Sequence, residues 1–165
     1  MKKHNAGYLG SFDPLTNGHL DIISRGSRIF TKLIIGVGGS TKKNLTFSQK
    51  ERLAMLTRTC KHLNNVEISS FDGLAVDFCK KKNISVIIRG LRTEADYVYE
   101  MQMAMMNFTL DPKIDTFFIP TRQDLSHISS SLVKEVAFLG GDVSKLVPEA
   151  SLELLTSKKN NTNKS

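Results

Sequence analysis

Short apolar runs alternate along this chain with longer stretches whose apolar residues recur every three or four positions. The short runs predict strands and the periodic stretches predict helices. Strands are expected at residues 6–10, 32–38 (KLIIGVG), 65–70, 84–88 (ISVII) and 114–119. Helices are expected at 19–30, 48–62, 73–82, 93–109, 129–139 and 148–156. Ser48 with Glu51 three residues on is a capping-box pattern. Thr93, followed by Glu94 and Asp96, is an N-cap with acids in the first turn. Five strands alternating with helices predict βαβ units. The fold class is α/β, a doubly wound, Rossmann-like five-stranded parallel sheet with helices on both faces.

The helix at 93–109 carries more apolar surface than one buried face needs. At about 100° per residue, Tyr97, Met101, Ala104, Met105 and Phe108 form one stripe, expected to pack on the sheet. Met103 and Met106 fall on the far side. A helix apolar on two sides is buried on two sides, so a homo-oligomer is expected.

Length and composition bound the answer. With 165 residues, 40% hydrophobic and 24% charged, the chain is one ordinary globular domain. Residues 1–157 are expected to form that domain, and 158–165 (KKNNTNKS) a polar, disordered tail. No apolar run approaches the roughly 20 residues of a membrane helix, and none near the N-terminus suits a signal peptide. The two cysteines, Cys60 and Cys79, form no C-x-x-C, which argues against a zinc site and for a cytoplasmic protein. The net charge of +7 points to an anionic partner. Three of those charges, Lys158, Lys159 and Lys164, belong to the tail, and aromatics make up only 7% with no Trp. A nucleic-acid surface of basic residues and stacked bases is therefore disfavoured.

In a parallel sheet, ligands bind beyond the carboxyl ends of the strands. Those ends read Gly10-Ser11-Phe12-Asp13-Pro14-Leu15-Thr16-Asn17-Gly18-His19, then Gly39-Ser40-Thr41-Lys42-Lys43-Asn44, then Phe71-Asp72-Gly73. Arg89-Gly90-Leu91-Arg92 and the stretch from Thr121 to Ser131 follow. Glycine turns, helix N-termini, lysines and arginines are the groups that hold phosphate oxygens. Neither G-x-G-x-x-G nor G-x-x-x-x-G-K-[ST] occurs, so the ordinary dinucleotide and P-loop readings fail.

Each element also has a plainer reading. His19 at a helix N-terminus could be an ordinary first-turn residue, but the glycine-rich run before it favours contact with an oxyanion. Lys42-Lys43 could be a solvated pair. Ser129-Ser130-Ser131 must supply at least one N-cap. His127 either lines the site or is exposed, and His4 and His62 read as surface residues.

Several segments together resemble bacterial phosphopantetheine adenylyltransferases, of the nucleotidyltransferase superfamily with a T-x-G-H element. They are Gly10–His19, Ile88–Arg92, Asp96–Glu100, Ile128–Val136 and Gly141–Val143, in the family's order and spacing. Leu9 and Leu125 depart from the family's frequent proline and aromatic. The resemblance implies adenylyl transfer from ATP to 4′-phosphopantetheine, giving dephospho-CoA and pyrophosphate, the penultimate step of coenzyme A synthesis. It implies magnesium with the ATP, coenzyme A itself as a candidate ligand, and a homohexamer.

Carried onto matching positions, the family's catalytic groups are His19, Lys43 and Arg92. ATP would meet Ser11, Phe12, His19, Gly90, Leu91, Arg92 and Glu100. It would also meet Leu125, Ser126, His127, Ile128, Ser129, Ser130 and Ser131. The pantetheine substrate would meet Ser11, Lys43, Ala75 and Arg89. Lys43 rather than Lys42 follows from counting forward from His19. No metal-ligand cage is visible, so magnesium would arrive on the nucleotide. A phosphate nucleophile is already anionic and needs no general base, which agrees with the absence of paired carboxylates or a Ser-His-Asp set. A sister enzyme adenylylating nicotinate mononucleotide, or cytidylylating glycerol phosphate, is the nearest rival. A nucleotide- or RNA-binding module is the rival of another class.

Overall fold

The computed structural model describes residues 4–39 and 45–162. Its five strands are β1 (Asn5–Gly10), β2 (Lys32–Gly38), β3 (Val66–Phe71), β4 (Val86–Leu91) and β5 (Asp115–Pro120). All pair in parallel in the order β3-β2-β1-β4-β5. The helices are α1 (Asn17–Ile29), α2 (Gln49–Cys60), α3 (Ala75–Lys81), α4 (Glu94–Leu110), α5 (Ser130–Phe138) and α6 (Glu149–Thr162). The expected doubly wound fold is the one observed.

Burial follows sheet order. In β1 and β2, inner strands, nearly every residue is buried, whereas the edge strands β3 and β5 are half-exposed. Helices on both faces leave an inner strand no wet side, which is why KLIIGVG shows no alternation. On one face Ile22 and Ile23 of α1 and Met55 and Leu56 of α2 meet Leu33, Ile35 and Ile88. On the other, Val76, Phe78 and Cys79 of α3 meet Leu9, Ile34, Ile87 and Ile114. Gly26 lets α1 approach closely, since a Cβ there would lie 2.8 Å from Ile88 Cδ1. A third cluster, with Phe47, Ile128, Val133, Val147 and Leu155, seats α5 and α6.

Both expected caps form: Ser48 and Glu51 cap each other reciprocally, and the Thr93 side chain accepts from the Asp96 N–H.

Three expectations change. β4 runs on through Leu91, so Arg89 is a strand residue in register with Phe118 rather than part of a loop. Pairing with β5 extends the strand past its last aliphatic residue. The last helix continues past residue 156 to Thr162, so residues 158–162 are helical. Finally, no residue of α4 is buried. Tyr97, Met105 and Phe108, expected on the sheet, are about half exposed or more. The arc turned inward carries Asp96, Glu100, Met101, Ala104 and Asn107, so of the expected stripe Met101 and Ala104 face inward, and Tyr97 keeps only a tilted ring contact with Phe118 of β5. Hydrophobic periodicity misleads here because the inner arc faces a polar cleft. No helix among the described residues is long and apolar enough to cross a membrane.

Candidate active site

After β3 the chain returns across β1 to build β4 on its other side, and β4 pairs directly with β1. The point where strand order reverses is where such sheets open a crevice. A cleft of about 270 Å³ lies there, lined by Gly10, Ser11, Phe12, Thr16, Gly18, His19, Arg89, Gly90, Arg92, Glu100 and residues 128–131, among others.

Thr16 is the N-cap of α1, and its hydroxyl accepts from the His19 N–H at 3.3 Å. In return the Thr16 backbone N–H donates to His19 Nδ1 at 3.1 Å. Nδ1 is therefore an acceptor. Burial, and then the charges of Arg92 and Arg89, push the imidazole pKa down to about 4. A neutral ring with Nδ1 accepting carries its proton on Nε2. The T-x-G-H spacing thus makes a capping box whose fourth member offers an N–H donor. A Cβ at Gly18 would meet only ordinary contacts, Thr16 Oγ1 at 3.6 Å and the Leu125 carbonyl at 3.8 Å. The glycine leaves room for a ligand rather than for the protein.

Both arginines meet carboxylates of α4. Arg89 forks onto Glu100, with Nε at 2.6 Å from Oε2, and also donates to the Leu9 carbonyl. Arg92 forks onto Asp96 at 2.9 and 3.0 Å and donates to the Ile128 carbonyl at 3.2 Å. Pairing holds each guanidinium in a fixed plane and cancels much of its charge. Arg89 and Glu100, which the resemblance sends to different substrates, are one unit here.

Of the residues expected in the site, Ser11, Phe12, His19, Arg89, Gly90, Arg92, Glu100, Ile128, Ser129, Ser130 and Ser131 all line the cleft. Leu91, Leu125, Ser126 and His127 do not, and His127 is exposed. Ser129 is the α5 N-cap, accepting from the Leu132 N–H, and the Ser130 hydroxyl donates to the Pro14 carbonyl. Lys42 and Lys43 lie outside the described residues. Ala75 lines a second, smaller pocket of about 100 Å³ with Tyr99, Met103 and Asn107. Leu9, Arg89 and Glu100 line both pockets.

The sequence reading missed several groups. Tyr8 lines the cleft from β1, its ring edge-on to Phe12 at 5.4 Å, and burial pushes its phenol up to about 12. Its spacing of two from Gly10 was the available signal. Asp13, buried, accepts from the N–H groups of Thr46 and Phe47 and from Lys134 at 2.5 Å. Arg52, also buried, donates to the carbonyls of Ser11, Gly38 and Phe47. Little local marks these as bracing residues, because most of their partners are distant in sequence.

A polar crevice at the switch point, with a capped neutral histidine and two held guanidiniums, suits a nucleotidyltransferase. The chain matches the family model described as Cytidylyltransferase-like over residues 8–136. It is 49% identical to a phosphopantetheine adenylyltransferase of Clostridium tetani over 94% of this chain and 98% of that one. It is 51% identical to a phosphopantetheine adenylyltransferase of Clostridium botulinum (strain Eklund 17B / Type B), over 87% and 91%. In fold it resembles the Plasmodium falciparum nicotinic acid mononucleotide adenylyltransferase complexed with NaAD. The TM-score is 0.71 over 94% of this chain and 96% of that one, at 15% identity. The chain belongs to the phosphopantetheine adenylyltransferase family.

Proposed function

We propose that this protein transfers the adenylyl group of ATP to 4′-phosphopantetheine, releasing pyrophosphate and forming dephospho-CoA. The observation that carries the acceptor's identity is the pair of adjoining pockets. A polar cleft and a narrower pocket lined by Leu9, Ala75, Ile87, Met103 and Ala104 share Arg89 and Glu100. That suits a phosphate at the junction with a slender, largely apolar arm beyond it. Nicotinate mononucleotide and glycerol phosphate have no such arm.

In the reaction an acceptor phosphate oxygen attacks the α-phosphorus of ATP. The new P–O bond forms as the bond to the β-phosphate oxygen breaks, and the electron pair leaves with pyrophosphate. The attacking oxygen is already anionic, so the protein's part is alignment and stabilisation of charge. His19 Nε2–H, Arg92 and Lys43 serve the charge that develops, and Arg89 the acceptor. Ser11 and Phe12 at the β1 end and residues 128–131 at the α5 N-terminus hold ATP. Leu91, Leu125, Ser126 and His127, outside the cleft wall, adjoin these segments, which supports a role for them at a nucleotide rim. Among the described residues no group of three His, Cys, Asp or Glu side chains could hold a metal ion. Magnesium would arrive with the nucleotide and would supply charge neutralisation on its phosphates.

The protein works in the cytoplasm, on small molecules rather than nucleic acid or membrane, and as a homo-oligomer, a hexamer, through the uncovered surface of α4. Dephospho-CoA and coenzyme A share its pantetheine pocket. Pyrophosphate release from ATP and magnesium, with each of 4′-phosphopantetheine, nicotinate mononucleotide and glycerol 3-phosphate, tests the reading. Preference for either of the last two would overturn it.

A further inference from the structure

Phe12 is the one residue of the cleft held in a left-handed conformation, with φ at 49°. For a bulky side chain that backbone is disfavoured and persists only where surroundings over-determine it. Two things hold it. Its ring is buried against Tyr8 and His19, with centroids 5.4 and 5.3 Å away. On the other side of the loop, Arg52 Nη1 donates to the Ser11 carbonyl at 2.6 Å.

Arg52 is only 2% exposed and does not line the cleft. Among the described residues no carboxylate lies within salt-bridge distance of it. Its three acceptors are carbonyls: Ser11, Gly38 at 2.8 Å and Phe47 at 3.1 Å. Burial disfavours the charged guanidinium and the nearby charge of Asp13 favours it, but among the described residues every hydrogen bond it makes goes to a backbone oxygen, which suits carbonyls that need a fixed direction. The Ser11 carbonyl and the Phe12 N–H belong to one trans peptide unit and point opposite ways. Drawing the carbonyl inward to Arg52 turns the N–H outward to the cleft. Among the described residues the Phe12 N–H has no hydrogen-bond partner.

We propose that Arg52 is a positioning residue that clamps the Ser11–Phe12 peptide so that the Phe12 N–H faces an anionic oxygen of the nucleotide. The inference rests on the nucleotide reading of the cleft and adds a residue outside it. Arg52 also ties the Ser11 carbonyl after β1 and the Gly38 carbonyl at the end of β2 to the Phe47 carbonyl before α2.

The test uses the full chain, labelled with ¹⁵N-phenylalanine. In the wild-type protein ATP should shift the Phe12 amide resonance downfield. Arg52→Ala should weaken ATP on the order of 10- to 100-fold, the range for losing a hydrogen bond to a charged group. Binding of 4′-phosphopantetheine alone should fall much less, and millimolar guanidinium should restore part of the ATP affinity. Should Arg52→Ala not fold, Arg52→Lys decides: weaker ATP with a native melting temperature supports the clamp, and unchanged ATP overturns it. Equal loss of both ligands without rescue, or a wild-type Phe12 amide indifferent to ATP, also overturns it. A wild-type protein that binds ATP but turns over no pantetheine substrate would sink the functional reading alone.

Discussion

The backbone N–H of Thr16 donates to Nδ1 of His19 across one helical turn, at 3.1 Å. This bond selects the tautomer with the proton on Nε2, and the ring's depressed pKa keeps it neutral at pH 7. A neutral imidazole is a hydrogen-bond donor without being a general acid. His19→Ala should therefore lower kcat by roughly 100-fold or more, as when an oxyanion donor is removed, with much less effect on ATP affinity. Steady-state kinetics with ATP binding measured separately would check it. Near-normal turnover would remove His19 from the chemistry.

The same pKa sets a pH dependence of stability. His19 is lowered from 6.5 to about 4 on folding, so between those values the unfolded chain binds more protons than the folded one. Stability from this group is complete above about pH 6.5 and is lost as pH falls toward 4. Urea melts at several pH values should show a steeper decline across that window for wild type than for His19→Gln. Parallel curves would mean the histidine is not buried in its neutral form.

Arg89 and Glu100 act as a pair. Arg89→Met should weaken acceptor binding by roughly 1.5–3 kcal/mol, because a charged hydrogen bond is lost and a carboxylate is left facing the phosphate. Arg89→Met with Glu100→Gln should lose less than Arg89→Met alone. Arg92→Met should act mainly on ATP. Calorimetry with each ligand separately would show it, and strictly additive losses for the pair would contradict the coupling.

Asp13 gathers Lys134 and the N–H groups of Thr46 and Phe47 onto one buried carboxylate. Asp13→Ala leaves a mostly buried ammonium and two amides without their acceptor. The expected cost is about 3–5 kcal/mol, the range for breaking a buried pair. Denaturant melts measure it, and a loss under 1 kcal/mol, the level of an exposed pair, would show that water replaces the carboxylate.

The surface of α4 predicts assembly. Met106 is 56% exposed and Tyr97 46%, beside Met103 and Phe108. Light scattering should give a mass several times 18.4 kDa, and Met106→Glu should lower it. A wild-type monomer at micromolar concentration would rule out the interface.

Local pattern was enough for the order and type of the elements, for the capping box at Ser48 and the cap at Thr93, and for placing the candidate site segments at strand ends. Each of these depends on residues within a turn or a strand of one another. Sheet order was not local. That β4 lies beside β1, carrying Arg89 to Leu9 and opening the cleft between them, depends on which strands bury each other's faces. The same holds for Arg52, Asp13 and Lys134, whose polar types say nothing until packing brings together partners up to 121 residues apart. On α4 the periodic apolar signal turned Met101 and Ala104 inward as expected but left Met105 and Phe108 exposed. Helical spacing records which residues share a face, and only the tertiary structure decides whether that face meets a core, a cleft or another molecule.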